Sequence, residues 1–252
     1  MPLTPKELSE LDLAVLAWVG RFRFVTAELV SERFGVSVQR ARARLRRLER
    51  DGLVARERAN QAEEHAVYLT ALGSGWVDLP RRRPPRVHVQ RDHELAIAWL
   101  SIVLEREALG PVLTERECRR AEMTGNGRRS VQVFRWAGRV DRRRWPDLVH
   151  ETADGPVAYE IEFAPKGSAR LEGIVDAYLQ SATFTAVWFY LSDPALAARL
   201  QRIVGGQLAR QGSAMFRSQF PVPVHVTPWP GAPTAQQAAV MRAVHRARAD
   251  PA

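Results

Sequence analysis

Three carboxylates, Asp147, Glu160 and Glu162, stand in one stretch, residues 145–178, WPDLVHETADGPVAYEIEFAPKGSARLEGIVDAY. Val157, Tyr159, Ile161 and Phe163 alternate with Ala158, Glu160 and Glu162. That period-two pattern predicts a strand that buries the first set and presents both glutamates on its other face. Asp147 follows Pro146 on a neighbouring strand-like run, residues 147–151, joined to the first by an Ala-Asp-Gly-Pro turn, and so comes up beside the glutamates. Converging carboxylates repel one another unless a cation, a basic group or a ligand sits among them. Two arrangements meet that need. A divalent cation would make the cluster a metal site, whereas Arg139, Arg142–Arg144 or Arg170 would make it a set of ion pairs on a sheet surface. Lys166 shares the strand parity of the glutamates, beyond Pro165.

The flanking segments must position this cluster. A helical pattern starts at Ser168 and ends near Ala182, and residues 185–191, TAVWFYL, form a continuous apolar run suited to a buried strand. Pro194 opens a helix reaching to about Val204, residues 222–226 read as a short strand, and residues 234–249 as an Ala- and Arg-rich helix. Upstream, residues 89–109 are strongly helical and bridge the two halves. Residues 112–119 and 130–136 are β-prone, with Thr124-Gly-Asn-Gly as a loop or hairpin tip. Strands alternating with helices predict a mixed α/β class with a central mixed sheet. His88 and His93 share no helix face and read as ordinary polar residues.

The N-terminal third has a different pattern. Thr4 with Glu7 in capping-box spacing predicts a first helix carrying Leu8, Leu11, Val15 and Val19 and ending near Gly20. Thr26 opens a second that stops at Gly35. Ser37 caps a third, in which Val38, Ala41, Leu45 and Leu48 form an apolar stripe and Arg40, Arg44, Arg47 and Arg50 lie opposite, with Arg46 beside them. Two β-prone runs, residues 53–58 and 66–70, flank a polar tip, and Thr70 begins another helix. The Pro/Arg segment at residues 80–87 reads as a stiff basic linker.

Of the 252 residues, 46% are hydrophobic, enough for one large core or two ordinary ones. The chain has no apolar run approaching the roughly 18 residues of a membrane span, and its start, MPLTPKELSELD, lacks the order of a secretory signal. The expectation is a cytoplasmic protein with no membrane partner. A single cysteine, Cys118, excludes an internal disulfide framework and a Cys-rich zinc site. Net charge is +9, nearly all from arginine, since Lys6 and Lys166 are the two lysines. The excess points to a polyanionic partner, and its clustering at residues 40–50, 81–86, 116–129 and 139–144 carries the information.

Residues 5–78 resemble a winged helix-turn-helix: three helices with a Gly-containing turn before a basic third, then a hairpin. The resemblance implies double-stranded DNA as partner. Ser37, Gln39, Arg40, Arg44, Arg46 and Arg47 would lie on a recognition helix in the major groove, and Arg56 and Arg58 on the wing. Whether the arginines read guanine edges or neutralise phosphates stays open, as does a winged helix that binds protein.

Pro146-Asp147, Glu160-Ile161-Glu162 and the helix and buried strand that follow resemble the PD-(D/E)XK nuclease-like fold. With the N-terminal pattern and Tyr178 on the following helix, the chain resembles the actinobacterial replication-relaxation family of plasmid and integrative-element proteins. That resemblance implies domains at residues 1–79 and 88–252. It implies Mg²⁺ on Asp147 and Glu160, with Glu162 where active members usually carry lysine, Lys166 nearby, and Glu105 or Glu107 as a further acid. The function implied is a DNA-binding protein of a mobile element controlling plasmid replication, transfer or transcription, with a degenerate nuclease-like domain. A homodimer and other plasmid-transfer or replication proteins are the implied partners. The alternatives are a Mg²⁺-dependent endonuclease using Asp147 and Glu160, and a protein-interaction adaptor.

Overall fold

A computed structural model describes residues 8–58, 65–80, 83–85, 90–107, 110–133, 142–163, 167–212 and 222–229. Lys166, the helix expected at 234–249 and part of the Pro/Arg linker lie outside them. The chain divides into two compact units, Met1–Ile102 and Val103–Ala252.

In the first unit, side-chain caps fix the helix starts. Helix α1, Glu10–Val19, begins at a capping box in which Ser9 Oγ accepts from the Asp12 amide at 3.2 Å and Asp12 Oδ2 accepts from the Ser9 amide at 2.9 Å. The Ser9–Asp12 box satisfies the first amides of this helix, and Thr4 and Glu7, the expected cap, lie outside the described residues. Helix α2, Ala27–Phe34, is capped by Thr26 and ends at Gly35, whose φ of 64° is the left-handed conformation glycine adopts without a Cβ clash. Helix α3, Val38–Arg50, is capped by Ser37. Strands β1, Val54–Glu57, and β2, Ala66–Leu69, pair antiparallel, and Val25 joins them through two backbone hydrogen bonds with Val67 at 2.8 and 2.9 Å. Thr70 caps the short helix α4, Ala71–Trp76, which approaches β1 through Gly73, where a Cβ would lie 1.9 Å from the Leu53 carbonyl oxygen. Leu16, Val19, Val30, Leu45, Leu48 and Leu53 are the fully buried centre.

Helix α5, Arg91–Glu107, contributes residues to both units. Its Leu95 packs against Phe24 and Ala66, and Glu94 pairs with Arg23 at 3.1 Å.

The second unit is built on a five-stranded mixed sheet in the order β3-β6-β7-β8-β9. Strand β3, Val112–Thr114, is antiparallel to β6, Leu148–Thr152, which is antiparallel to β7, Gly155–Glu162. Strand β8, Ala186–Leu191, and strand β9, Val224–Pro228, add in parallel. Parallel neighbours need crossovers: α7, Ser168–Leu179, leads from β7 to β8, and α8, Pro194–Gly212, from β8 to β9. A separate ribbon pairs β4, Val131–Val133, with β5, Arg142–Arg144. The chain is thus mixed α/β, as its alternating patterns predict. Helix α8 runs to Gly212, past its expected end near Val204, and a second segment also departs from expectation. Residues 112–119 form a strand only to Thr114, where a second capping box, Thr114 with Glu117, starts helix α6, Glu115–Met123.

Candidate functional site

The two groups of residues singled out by sequence lie in different units.

On β7 the glutamates are not on an open face. Ala158, Tyr159, Glu160, Ile161 and Glu162 are all buried, so both sides of the strand are covered. Ala158 packs with Val149, Ile174, Val175 and Tyr178, so the face that carries the glutamates lies beneath α7. Glu160, 2% exposed, accepts from Arg144 Nε on Oε1 at 3.0 Å and from Arg144 Nη2 on Oε2. The Tyr178 hydroxyl donates to the same Oε1 at 2.6 Å. Glu160's charge, ahead of the opposing effect of burial, raises the Arg144 pKa, and Asp147 adds to it. Burial, reinforced by Glu160, pushes the Tyr178 phenol well above its ordinary range, so it stays a donor. Continuing the β6–β7 register by one step from Leu148 opposite Tyr159 places Asp147 opposite Glu160. There Asp147 Oδ2 accepts from the Ile161 amide at 2.8 Å and secures the end of the ladder.

Arginine, one of the two partners open to the carboxylates, stands beside Glu160. Both Glu160 oxygens are committed to Arg144, one also to Tyr178, and an Asp147 oxygen to the backbone. This donor set does not fit Mg²⁺, which demands near-octahedral oxygen ligands without a competing cation among them. Among the described residues, no group of three or more His, Cys, Asp or Glu side chains is placed to hold a metal ion. Asp147 and Glu160, the expected metal pair, stand in an ion-paired, hydrogen-bonded cluster with Arg144 and Tyr178.

In the first unit, α3 turns Ala41, Leu45 and Leu48 inward. Its exposed residues are Gln39, Arg40, Arg42, Ala43, Arg46 and Arg50. Arg44 and Arg47 are half-buried and both pair with Asp12, a fully buried carboxylate of α1. Burial alone would raise the Asp12 pKa, but hydrogen bonds from Arg47 and Ser9 and the charge of Arg44 outweigh it and lower it to about 2. Arg42 pairs with Glu28 at 2.7 Å while remaining on the exposed face. Arg56 Nε donates to Glu49 at 2.6 Å, tying β1 to α3, and Arg58 reaches His65 Nδ1 at 3.3 Å. Ser37 Oγ accepts from the Arg40 amide at 3.3 Å, so its side chain serves as the cap.

Arg40 and Arg46 thus project outward, whereas Arg44, Arg47 and Arg56 have carboxylate partners within the chain. Sequence reasoning missed Asp12, Arg42 and Ala43. An acid at the third position of a Ser-x-x-Asp box is legible as a cap, but its second use as an arginine clamp depends on how α3 crosses α1. No protein-family model matches the chain, and no curated protein matches its sequence. Among the described residues no helix is long and apolar enough to cross a membrane.

Proposed function

We propose that the chain is a DNA-binding protein whose N-terminal unit is a winged helix-turn-helix and whose C-terminal unit is a nuclease-like fold turned to binding, of the replication-relaxation type found in mobile elements. The observation that carries this reading is the exposed face of α3. Gln39, Arg40, Arg42, Ala43, Arg46 and Arg50 form a basic strip on a helix capped by Ser37, with Arg42 paired to Glu28. The small Ala43 at its middle lets a helix approach base edges closely. Arginine beside it can take guanine bidentately or neutralise phosphate. Hairpin β1–β2 supplies Arg58 at the position of a wing.

Cleavage is disfavoured by Arg144, which takes the place a catalytic cation would need. The cluster then serves to hold β5, β7 and α7 together.

Titration of the full chain into a labelled mixed-sequence duplex, followed by fluorescence anisotropy, tests the reading. Affinity should fall steeply between about 50 and 200 mM salt, and Arg40→Ala with Arg46→Ala should weaken it at least tenfold. Absence of binding at low salt, or affinity indifferent to salt, overturns the reading in favour of a protein-interaction adaptor.

A further inference from the structure

A second basic surface lies wholly within the C-terminal unit and is not used by the cluster around Glu160. Helix α6 presents Arg119, Arg120 and Met123 outward while Cys118 is buried beneath. Met123 is 89% exposed. The turn that follows is firmly built. The Asn126 amide donates to the Ala121 carbonyl at 2.8 Å, and the Arg129 amide to Glu122 Oε1 at 2.6 Å. Gly125 and Gly127 adopt φ of 78° and 84°, which a side chain would strain. Arg129 is anchored to Glu151. These bonds hold Arg128 exposed at the tip.

Alternation along β5 completes the surface. Arg144 turns inward to Glu160, so its neighbour Arg143 turns outward, its side chain 68% exposed and 3.9 Å from Glu122. Glu122 is itself nearly buried, and the Arg129 amide holds one of its oxygens. Arg119 lies over the Trp145 ring at 4.5 Å and pairs with Glu115, which remains partly exposed. Arg120 and Arg128 have no ion-pair partner among the described residues. Arg119, Arg120 and Met123 therefore share the outward side of α6, with Arg128 exposed on the turn that follows and Arg143 beside Glu122.

We infer that this turn is a second contact with duplex DNA, a clamp on the phosphate backbone through Arg120, Arg128 and Arg143 with Met123 set against the sugar edge of the minor groove. The inference rests on the DNA-binding reading of α3 and adds to it a separate surface. Charge complementarity selects a polyanion, and exposed arginines flanking an exposed apolar side chain suit a groove rather than a flat anionic surface. Such a clamp raises affinity without selecting sequence.

The test uses the full chain on the same mixed-sequence duplex, comparing Arg120→Ala/Arg128→Ala, Met123→Asp, the α3 variant Arg40→Ala/Arg46→Ala and a charge control, Arg202→Ala, each checked for an unchanged melting temperature. The tip variant should bind about tenfold more weakly and lower the slope of log affinity against log salt by about 2, one per lost phosphate contact. Met123→Asp should weaken binding about as much. Wild-type affinity and slope in the tip variant, with a weakened α3 variant, overturn the clamp, leave the surface to a protein ligand and spare the α3 reading. A loss matched by Arg202→Ala also overturns it, since net charge alone would then account for the effect. Failure of the wild type to bind duplex overturns both.

Discussion

Asp12 and Glu160 are buried acids, each neutralised by arginine, and the two carry different predictions. The Asp12 pKa of about 2 lies below its ordinary value of 3.8, so the stabilisation it gives is complete above that value and is lost as pH falls toward 2. A shift of this size corresponds to something on the order of 2 kcal/mol. Asp12→Asn should cost about 2–4 kcal/mol at neutral pH, read by urea unfolding, and should flatten the acid limb of the stability profile between about pH 4 and pH 2. For the second cluster, Arg144→Ala strands a buried carboxylate and should cost about 3–5 kcal/mol. Tyr178→Phe removes one hydrogen bond and should cost about 1–2 kcal/mol. Replacing Arg144, Glu160 and Tyr178 together by Met, Leu and Phe should recover most of the stability, because apolar groups of similar volume need no partner. A triple variant as unstable as Arg144→Ala would show that the cluster does more than satisfy charge. Cys118, by contrast, is inert by placement: burial, helped by the neighbouring Glu117 charge, pushes its thiol up to about 12.

Helices and strands were legible in the sequence wherever a local signal governed them. Gly35 and Ser37 mark the turn into α3, and the alternation of β7 and the apolar run of β8 mark the sheet centre. The start of α6 was legible too, in Thr114-Glu-Arg-Glu, but Val112–Thr114 before it is β-prone and masks the change. What sequence could not supply was the choice of partner. Several arginines precede Asp147, and only the pairing of β4 with β5 and the burial of Glu160 beneath α7 select Arg144. The same limit applies to α3, whose even scatter of arginines hides the fact that Arg44 and Arg47 are drawn to Asp12. The face left outward centres on Ala43 and predicts a sharp result. Ala43→Glu places a carboxylate amid Arg40, Arg42 and Arg46 at little cost to the helix, so duplex affinity should drop at least tenfold while circular dichroism and melting temperature hold. Equal affinity in that variant would place the DNA contact elsewhere.

At the scale of the whole chain, the N-terminal unit extends to Ile102 because Leu95 covers Phe24 and Ala66, and Glu94 holds Arg23. A fragment ending at residue 102 should therefore unfold cooperatively, whereas one ending at residue 79 should be less stable by at least about 2 kcal/mol, through re-exposure of Phe24 and its neighbours. Equal stability of the two fragments would show that α5 adds nothing to this unit. The sheet of the other unit has a consequence for biosynthesis. Strand β8 lies between β7 and β9, yet β9 begins 33 positions after β8 ends, at Val224 against Leu191. At about 5–20 residues per second on the ribosome, the β8 edge, with its run of Val187 to Leu191, waits about 2–7 s for its neighbour. During that interval the nascent chain offers an unpaired apolar strand to any other chain nearby, and slowed translation across α8 would lengthen the exposure.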